Sequence, residues 1–125
     1  MTMEGSNAIS ALAALAQENR LDVFRLLVQA GEGGMPAGSI ATTLGVPNNT
    51  LSFHLERLRA AGLVTSMRQG RSIIYAANYA AMNGLLAYLT ENCCQGRPEL
   101  CQAPSCTPHT KRPSNKSKKP ERVGP

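Results

Sequence analysis

The chain has 125 residues, four cysteines, no tryptophan and a formal net charge of +5. This length fits one compact domain of roughly 100 residues with a tail and excludes two domains. No apolar run approaches the roughly 18 residues that cross a bilayer, which excludes a transmembrane helix and a membrane partner. The N-terminus also lacks the pattern of a signal peptide. We therefore expect a soluble cytoplasmic protein with reduced thiols rather than a disulfide framework.

The positive charge is concentrated at the C-terminal end. Residues 1–106 carry seven basic and seven acidic side chains, whereas residues 107–125 carry six Lys or Arg against a single Glu. The second range has almost no apolar residues, and we expect it to be a basic, disordered tail. Any contact of the folded part with nucleic acid therefore depends on the placement of individual arginines.

Two helices are predicted before the glycine-rich segment 31–34. Ser6 and Asn19 are suited to cap their N-termini, and Gly31 marks the end of the second helix. Apolar residues at helical spacing predict the buried faces. These residues are Ile9, Leu12, Leu15 and Ala16 in the first helix, and Leu21, Phe24, Leu27 and Val28 in the second.

Two further helices follow, joined by a short turn. Pro36 opens a helix that Gly45 closes, and Pro47 opens the next helix, which stops at Gly62. Two short helices joined in this way are typical of a helix-turn-helix. Their predicted buried residues are Ile40, Ala41 and Leu44, followed by Leu51, Leu55 and Leu58.

The periodicity then changes to that of strands. Residues 63–67 and 72–77 are β-rich, and Gln69-Gly70 between them suits a tight two-residue turn. A last helix over 79–91 has Met82, Leu85, Leu86 and Leu89 on one face. The order of elements predicts a mainly α (α+β) fold, a winged helix-turn-helix with one β-hairpin as its wing.

The helix over 47–61 is the predicted DNA-recognition helix. Its leucines face inward, and its outward face is rich in Asn, Thr and Ser, which suit base-edge and phosphate contacts. Phe53 is an unusual outward aromatic that either packs on a thymine methyl group or folds against a neighbouring helix. His54 lies at the edge of the buried stripe, and we predict a structural histidine rather than a ligand. The predicted DNA contacts are Asn48, Asn49, Thr50, Ser52, Phe53, Arg57, Arg68, Gln69 and Arg71.

Residues 51–64, together with the wing tip 68–71 and Tyr75, resemble the arsenic-repressor (ArsR/SmtB) family of winged-helix repressors. Residues 19–27 resemble the second helix of that family. The resemblance implies a homodimer joined through its first and last helices. It also implies a repressor that binds a palindromic operator in double-stranded DNA and is released by an inducing ion.

All four cysteines lie at or beyond the end of the last helix, at positions 93, 94, 101 and 106. The predicted helix 37–44 lacks the Cys-x-Cys that a family sensor often carries there, and the last helix lacks the Asp/His and His/Glu pairs of the family's zinc site. The segment 92–94 resembles instead a branch that binds arsenite through a vicinal cysteine pair and a third cysteine downstream. Trivalent arsenic is soft and takes three thiolates. The predicted ligands are Cys93, Cys94 and Cys101, with Cys106 as a further candidate.

The inducer is therefore predicted to be As(III), as arsenite or as a methylated or organic trivalent arsenical, and no cofactor is required. A zinc or cadmium site is the first alternative, although vicinal ligands fit a tetrahedron poorly. A thiol redox switch is the second, although a helix C-terminus disfavours a thiolate. An arsenate reductase is the third, because residues 106–112 read C-x₅-R, but they lack a phosphate-binding cradle. We predict no enzymatic activity.

The sequence thus predicts three parts. Residues 1–92 form the DNA-binding and dimerisation domain, residues 93–106 form the cysteine-rich inducer-binding segment, and residues 107–125 form the basic tail.

Overall fold

The computed structural model describes residues 4–97. The chain divides into two units, Met1–Glu91 and Asn92–Pro125. Within the described range, no helix is long and apolar enough to cross a membrane. The described part of the second unit contains a short 3₁₀ helix, Cys93–Gly96. The first unit contains α1 (Gly5–Leu15), α2 (Glu18–Ala30), β1 (Met35–Pro36), α3 (Ala37–Leu44), α4 (Asn48–Ala60), β2 (Val64–Gln69), β3 (Ser72–Ala77) and α5 (Tyr79–Leu89).

The N-termini of α1 and α2 differ from the predicted caps. Helix α1 follows Glu4 without a side-chain cap, and Ser6 lies inside the helix. Helix α2 is capped by Gln17, whose Oε1 accepts a hydrogen bond from the Arg20 backbone N–H at 3.0 Å. The prediction of Asn19 as the cap is wrong, because α2 already begins at Glu18 after a link of only two residues.

The core lies where α2, α3 and α4 pack together with the sheet. The predicted stripe of α4 is confirmed, since Leu51, Leu55 and Leu58 are fully buried. Helix α2 buries Val23, Phe24 and Leu27, whereas the prediction of a buried Leu21 is wrong. Helix α1 turns Ala8 and Ala11 to the core, and Leu15 is partly buried against it, whereas the prediction of buried Ile9 and Leu12 is wrong because both are exposed.

The turn between α3 and α4 follows the sequence prediction. Gly45 ends α3 with a φ of +69°, and its N–H donates to the Ala41 carbonyl at 2.8 Å. Only glycine adopts this left-handed conformation without strain. Pro47 then precedes the first residue of α4, where its fixed φ suits a helix start and its missing N–H costs nothing.

The hairpin turn is shifted by one residue from its predicted position. Gln69 pairs with Ser72 in the β2–β3 ladder, so the turn consists of Gly70 and Arg71. Gly70 is the first residue of the turn and has a φ of +61°. The common two-residue hairpin turns require a positive φ at this place. The predicted Gln69-Gly70 turn is therefore wrong in its register, although its glycine is used.

A third strand, absent from the sequence prediction, completes the sheet. Strand β1 pairs antiparallel with β3, with Met35 opposite Tyr75, and the strand order is β1-β3-β2. Gly34, directly before β1, approaches β3 so closely that a Cβ on it would collide with the Tyr75 carbonyl group. Two residues are too few to show strand periodicity, which is why the pattern did not reveal β1.

Helix α5 is tied to the rest of the unit at its first turn. The Asn78 side chain accepts from the Ala81 N–H at 3.2 Å and donates to the Gly62 carbonyl at 2.9 Å. The Tyr79 hydroxyl donates to the Val28 carbonyl at 2.7 Å. The helix ends at Leu89, two residues before the predicted end, and only Leu85 of its apolar residues is buried.

Candidate nucleic-acid interface

The first turn of α4 is an exposed polar surface. Asn48, Asn49 and Ser52 are exposed, and Thr50 is half-buried. The first turn holds no acidic residue, so nothing there repels a phosphate. Helix N-termini also present backbone N–H groups that lack a helical partner and bind anions. This turn can therefore approach a nucleic acid with both side-chain and backbone donors.

The wing adds basic and polar groups at its tip. Arg68, Gln69 and Arg71 are all exposed. The Arg68 guanidinium donates to the Gly70 carbonyl at 3.3 Å, which holds it beside the turn. Arg71 is itself a turn residue because of the shifted register. The tip thus carries two positive charges on residues three positions apart.

Phe53 and Arg57 lie side by side on α4. The guanidinium carbon of Arg57 is 5.1 Å from the centroid of the Phe53 ring, a cation–π geometry. Phe53 is 53% exposed and borders a cleft whose other wall includes Ala13 and Ala14 of α1. The ring is therefore next to α1 and is also open to solvent. A contact with a thymine methyl group stays a prediction.

His54 is buried, as its predicted structural role requires, with only 5% of its surface exposed. Its Nδ1 lies 3.4 Å from Nη1 of Arg20, and Arg20 Nε donates to the Ala14 carbonyl at 2.7 Å. Burial, and secondly the Arg20 charge, lower the pKa of His54 below its ordinary value. A neutral His54 thus helps to fix α4 against the start of α2.

Sequence reasoning assigned no role to Arg20. One sequence signal could have identified Arg20. A helical ion pair would need an acidic residue three or four positions away, and Arg20 has none there. Arg57 shares this feature. Arg59 differs, because it forms an ion pair with Glu56 at 2.8 Å on the surface of α4.

Two of the cysteines fall within the described range. Cys93 is exposed and begins the 3₁₀ helix Cys93–Gly96, and Cys94 follows it in that helix. Cys101 and Cys106 lie outside the described residues. Between residues 4 and 97 no group of three or more His, Cys, Asp or Glu residues is placed to hold a metal ion. The arsenic ligands therefore stay a prediction.

Comparisons with known proteins agree with this geometry. A family model for a helix-turn-helix domain matches residues 15–66. The transcriptional regulator YgaV of Escherichia coli is 31% identical over 87 residues, covering 70% of this chain and 86% of the relative. The structure of an ArsR-like transcriptional regulator from Rhodococcus sp. RHA1 is 36% identical, with a TM-score of 0.60 over 67% of this chain and 76% of that one. This chain belongs to the ArsR family of transcriptional regulators.

A second solved structure has the same architecture. The homodimeric winged helix-turn-helix DNA-binding domain Mb0332 from Mycobacterium bovis is 28% identical, with a TM-score of 0.56 over 70% of this chain and 80% of that one. The predicted winged helix-turn-helix fold is thus confirmed for this ArsR chain. The matched relatives named here are regulators of transcription or DNA-binding domains, so the chain is a DNA-binding regulator rather than an enzyme.

Proposed function

We propose that this ArsR-family chain is a homodimeric repressor that releases a palindromic operator when trivalent arsenic binds to Cys93, Cys94 and Cys101. One observation carries the proposal of DNA binding. The exposed polar first turn of α4 lies in the same unit as a wing with two exposed arginines. The α4 turn reads base edges in the major groove, and the wing contacts the sugar–phosphate backbone. The proposed contacts are Asn48, Asn49, Thr50, Ser52, Phe53, Arg57, Arg68, Gln69 and Arg71.

Dimerisation is supported by apolar side chains that the single chain leaves in water. Ile9 on α1 is 67% exposed, and Leu89 on α5 is 55% exposed. Leu12 and Leu86 add to the exposed apolar surface of these two helices, which pack against each other. Such surfaces mark protein contacts, and a second copy of the chain would cover this one by two-fold symmetry. The symmetry would place the two α4 helices one helical turn of DNA apart, or a multiple of it.

The cysteines provide the donor set that trivalent arsenic requires. Arsenite in water is As(OH)₃, and three thiols displace its three hydroxyl groups as water, which leaves arsenic bound to three sulfur atoms. Cys93 is exposed and follows the end of α5 by four positions in the sequence. Arsenic at this point would change the packing of α5 in the dimer and thereby the spacing of the two α4 helices. A coupling free energy of roughly 1–3 kcal/mol corresponds to a 5- to 150-fold loss of DNA affinity.

The experiment is fluorescence anisotropy of the reduced full-length protein on labelled DNA from its own promoter region. Separate titrations use arsenite, zinc, cadmium and a mild thiol oxidant. We expect tight binding to the promoter fragment, weak binding to scrambled DNA of the same length, and release by arsenite at about one equivalent per subunit.

The outcomes separate the parts of the proposal. Release by zinc, cadmium or the oxidant without release by arsenite would keep the repressor and overturn the arsenic site. Equal binding to promoter and scrambled DNA would overturn operator recognition. A turnover assay with arsenate and a thiol reductant should show no arsenite formation, which separates the regulator from a reductase.

A further inference from the structure

A cleft of about 400 Å³ lies between α1, the start of α2 and α4. Its lining residues include Ala13, Ala14, Ala60 and Phe53. Two arginines, Arg20 and Arg57, also line it. A mainly apolar cleft of this size with a few polar groups is typical of a small-molecule site.

Within residues 4–97, carboxylates do not neutralise these two guanidinium groups. Neither Arg20 nor Arg57 forms an ion pair with any acidic residue of the described part of the chain, whereas Arg59 is paired with Glu56. Arg20 is half-buried, and its Nε and Nη1 atoms are occupied by Ala14 and His54. Its Nη2 atom has no hydrogen-bond acceptor among residues 4–97. Two positive charges on one cleft favour an anion.

The aromatic ring determines which kind of anion fits. Arg57 lies over the Phe53 ring, and both residues border the cleft. The alanine methyl groups offer dispersion contacts but no hydrogen bonds, so they suit a flat apolar body rather than a hydrated ion. Guanidinium groups match the planar geometry of a carboxylate. We propose that this cleft binds a small aromatic carboxylate, with its ring against Phe53 and the alanines and its carboxylate between Arg20 and Arg57.

The position of the cleft couples such a ligand to DNA binding. Its walls belong to α1, which carries part of the proposed dimer surface, and to α4, the proposed reading helix. Arg57 is also among the proposed DNA contacts, so a bound carboxylate would compete with DNA for its guanidinium. This consequence rests on the proposed function, whereas the occupancy of the cleft does not.

The test uses the reduced full-length protein without DNA, so its failure is distinct from a failure of DNA binding. The probe is benzoate, followed by the shifts of backbone amide signals in ¹H–¹⁵N spectra. Benzamide is the neutral isostere, and inorganic phosphate is the anion without a ring. We expect benzoate to shift the amide signals of Ala13, Arg20 and Phe53 with a Kd of about 1 mM. Benzamide and phosphate should each bind at least roughly tenfold more weakly.

Three variants locate the site. Arg57→Gln removes one charge from an exposed position and should weaken benzoate binding roughly tenfold. Ala13→Leu fills the cleft without changing its charge and should abolish the shifts. Arg59→Gln is the matched control on the same helix, and it should change the benzoate Kd by less than about twofold.

Each contrary result overturns the proposal. Benzoate shifts that do not saturate, or equal binding of benzoate and benzamide, would remove the anion site. Phosphate binding more tightly than benzoate would make the cleft a phosphate-binding site, such as a contact point for the DNA backbone. Unchanged benzoate binding by Ala13→Leu would place the ligand elsewhere.

Discussion

Nη1 of Arg20 lies 3.4 Å from Nδ1 of His54, and this contact joins the start of α2 to the buried side of α4. A guanidinium only donates hydrogen bonds, so Nδ1 must accept and the imidazole proton belongs on Nε2. A second proton would place two cations side by side in a buried environment. The neutral form of His54 is therefore part of the folded structure, which makes its stability depend on pH.

We expect the free energy of unfolding to fall as the pH falls below about 6.5, the ordinary pKa of the imidazole. Burial and then Arg20 lower the pKa of His54 in the folded chain, so between the two pKa values the unfolded chain binds the extra proton. The stability present above the unfolded pKa is lost as the pH falls through this window toward the folded pKa.

His54→Asn tests this pH dependence, because its amide oxygen can accept from Arg20 but does not titrate. Urea unfolding at several pH values around and below 6.5 gives the two curves. The wild type should lose more stability on acidification than the variant, whose acidic residues titrate in the same way. Parallel curves would mean that His54 contributes nothing to the pH dependence.

Gly34→Ala should be strongly destabilising. The added Cβ would collide with the Tyr75 carbonyl of β3, and Gly34 has a φ of +72°. We expect a loss of about 3 kcal/mol in the free energy of unfolding, measured by urea denaturation. Gly33→Ala is the matched control, because a Cβ there meets nothing within 4 Å. Its effect should stay within about 0.5 kcal/mol, and equal losses for both variants would contradict the close approach of this segment to β3.

Leu89→Ser should weaken the proposed dimer. Leu89 is 55% exposed on α5, and burying this surface in both subunits is worth about 2 kcal/mol, or roughly a thirtyfold change in the dimer Kd. Sedimentation velocity over a concentration series measures this change. Leu21→Ser is the control, since Leu21 is 43% exposed but lies on α2. A larger effect from Leu21→Ser would move the dimer surface away from α1 and α5.

Arg71→Ala should weaken DNA binding for all sequences alike. Arg71 is a turn residue at the exposed wing tip, where it is proposed to contact phosphate. Losing one phosphate contact in each of two subunits should reduce the slope of log K against log salt by roughly 2. Anisotropy titrations at several salt concentrations measure the slope. Arg25→Ala, an exposed arginine on α2, should leave it unchanged, and an unchanged slope for Arg71→Ala would remove the wing from the interface.

Cys94→Ser should retain operator binding but lose the response to arsenite. Only two of the three proposed ligands, Cys93 and Cys101, remain after the substitution, and the proposed As(III) site requires three thiolates. Cys106→Ser is the matched control and should respond nearly as the wild type does, because Cys106 is only a further candidate ligand. Anisotropy with increasing arsenite compares the two variants. Release of Cys94→Ser at wild-type arsenite concentrations would exclude Cys94 from the site.

Much of the first unit followed from local patterns. The leucines of α4 recur at helical spacing and are buried as predicted. Gly45 and Pro47 restrict the backbone directly, so the turn between α3 and α4 lies where the sequence placed it. The predictions failed where two equally good local choices existed. Gly70 can be the first or the second residue of a two-residue turn, and a positive φ is allowed at both places. Only the pairing of β2 with β3 made it the first.

Some features of the candidate site belong to single segments, and others depend on tertiary packing. The polar first turn of α4, the arginines of the wing and the cysteine cluster are features of single segments, and the sequence alone determined them. Tertiary packing decided that Arg20 meets His54 across 34 positions, and that Phe53 borders a cleft with α1. It also decided that α1 buries its alanines and leaves Ile9 in solvent. The physical reason is that periodicity reports which residues share a face of one helix, whereas the partner of that face depends on how distant segments pack together.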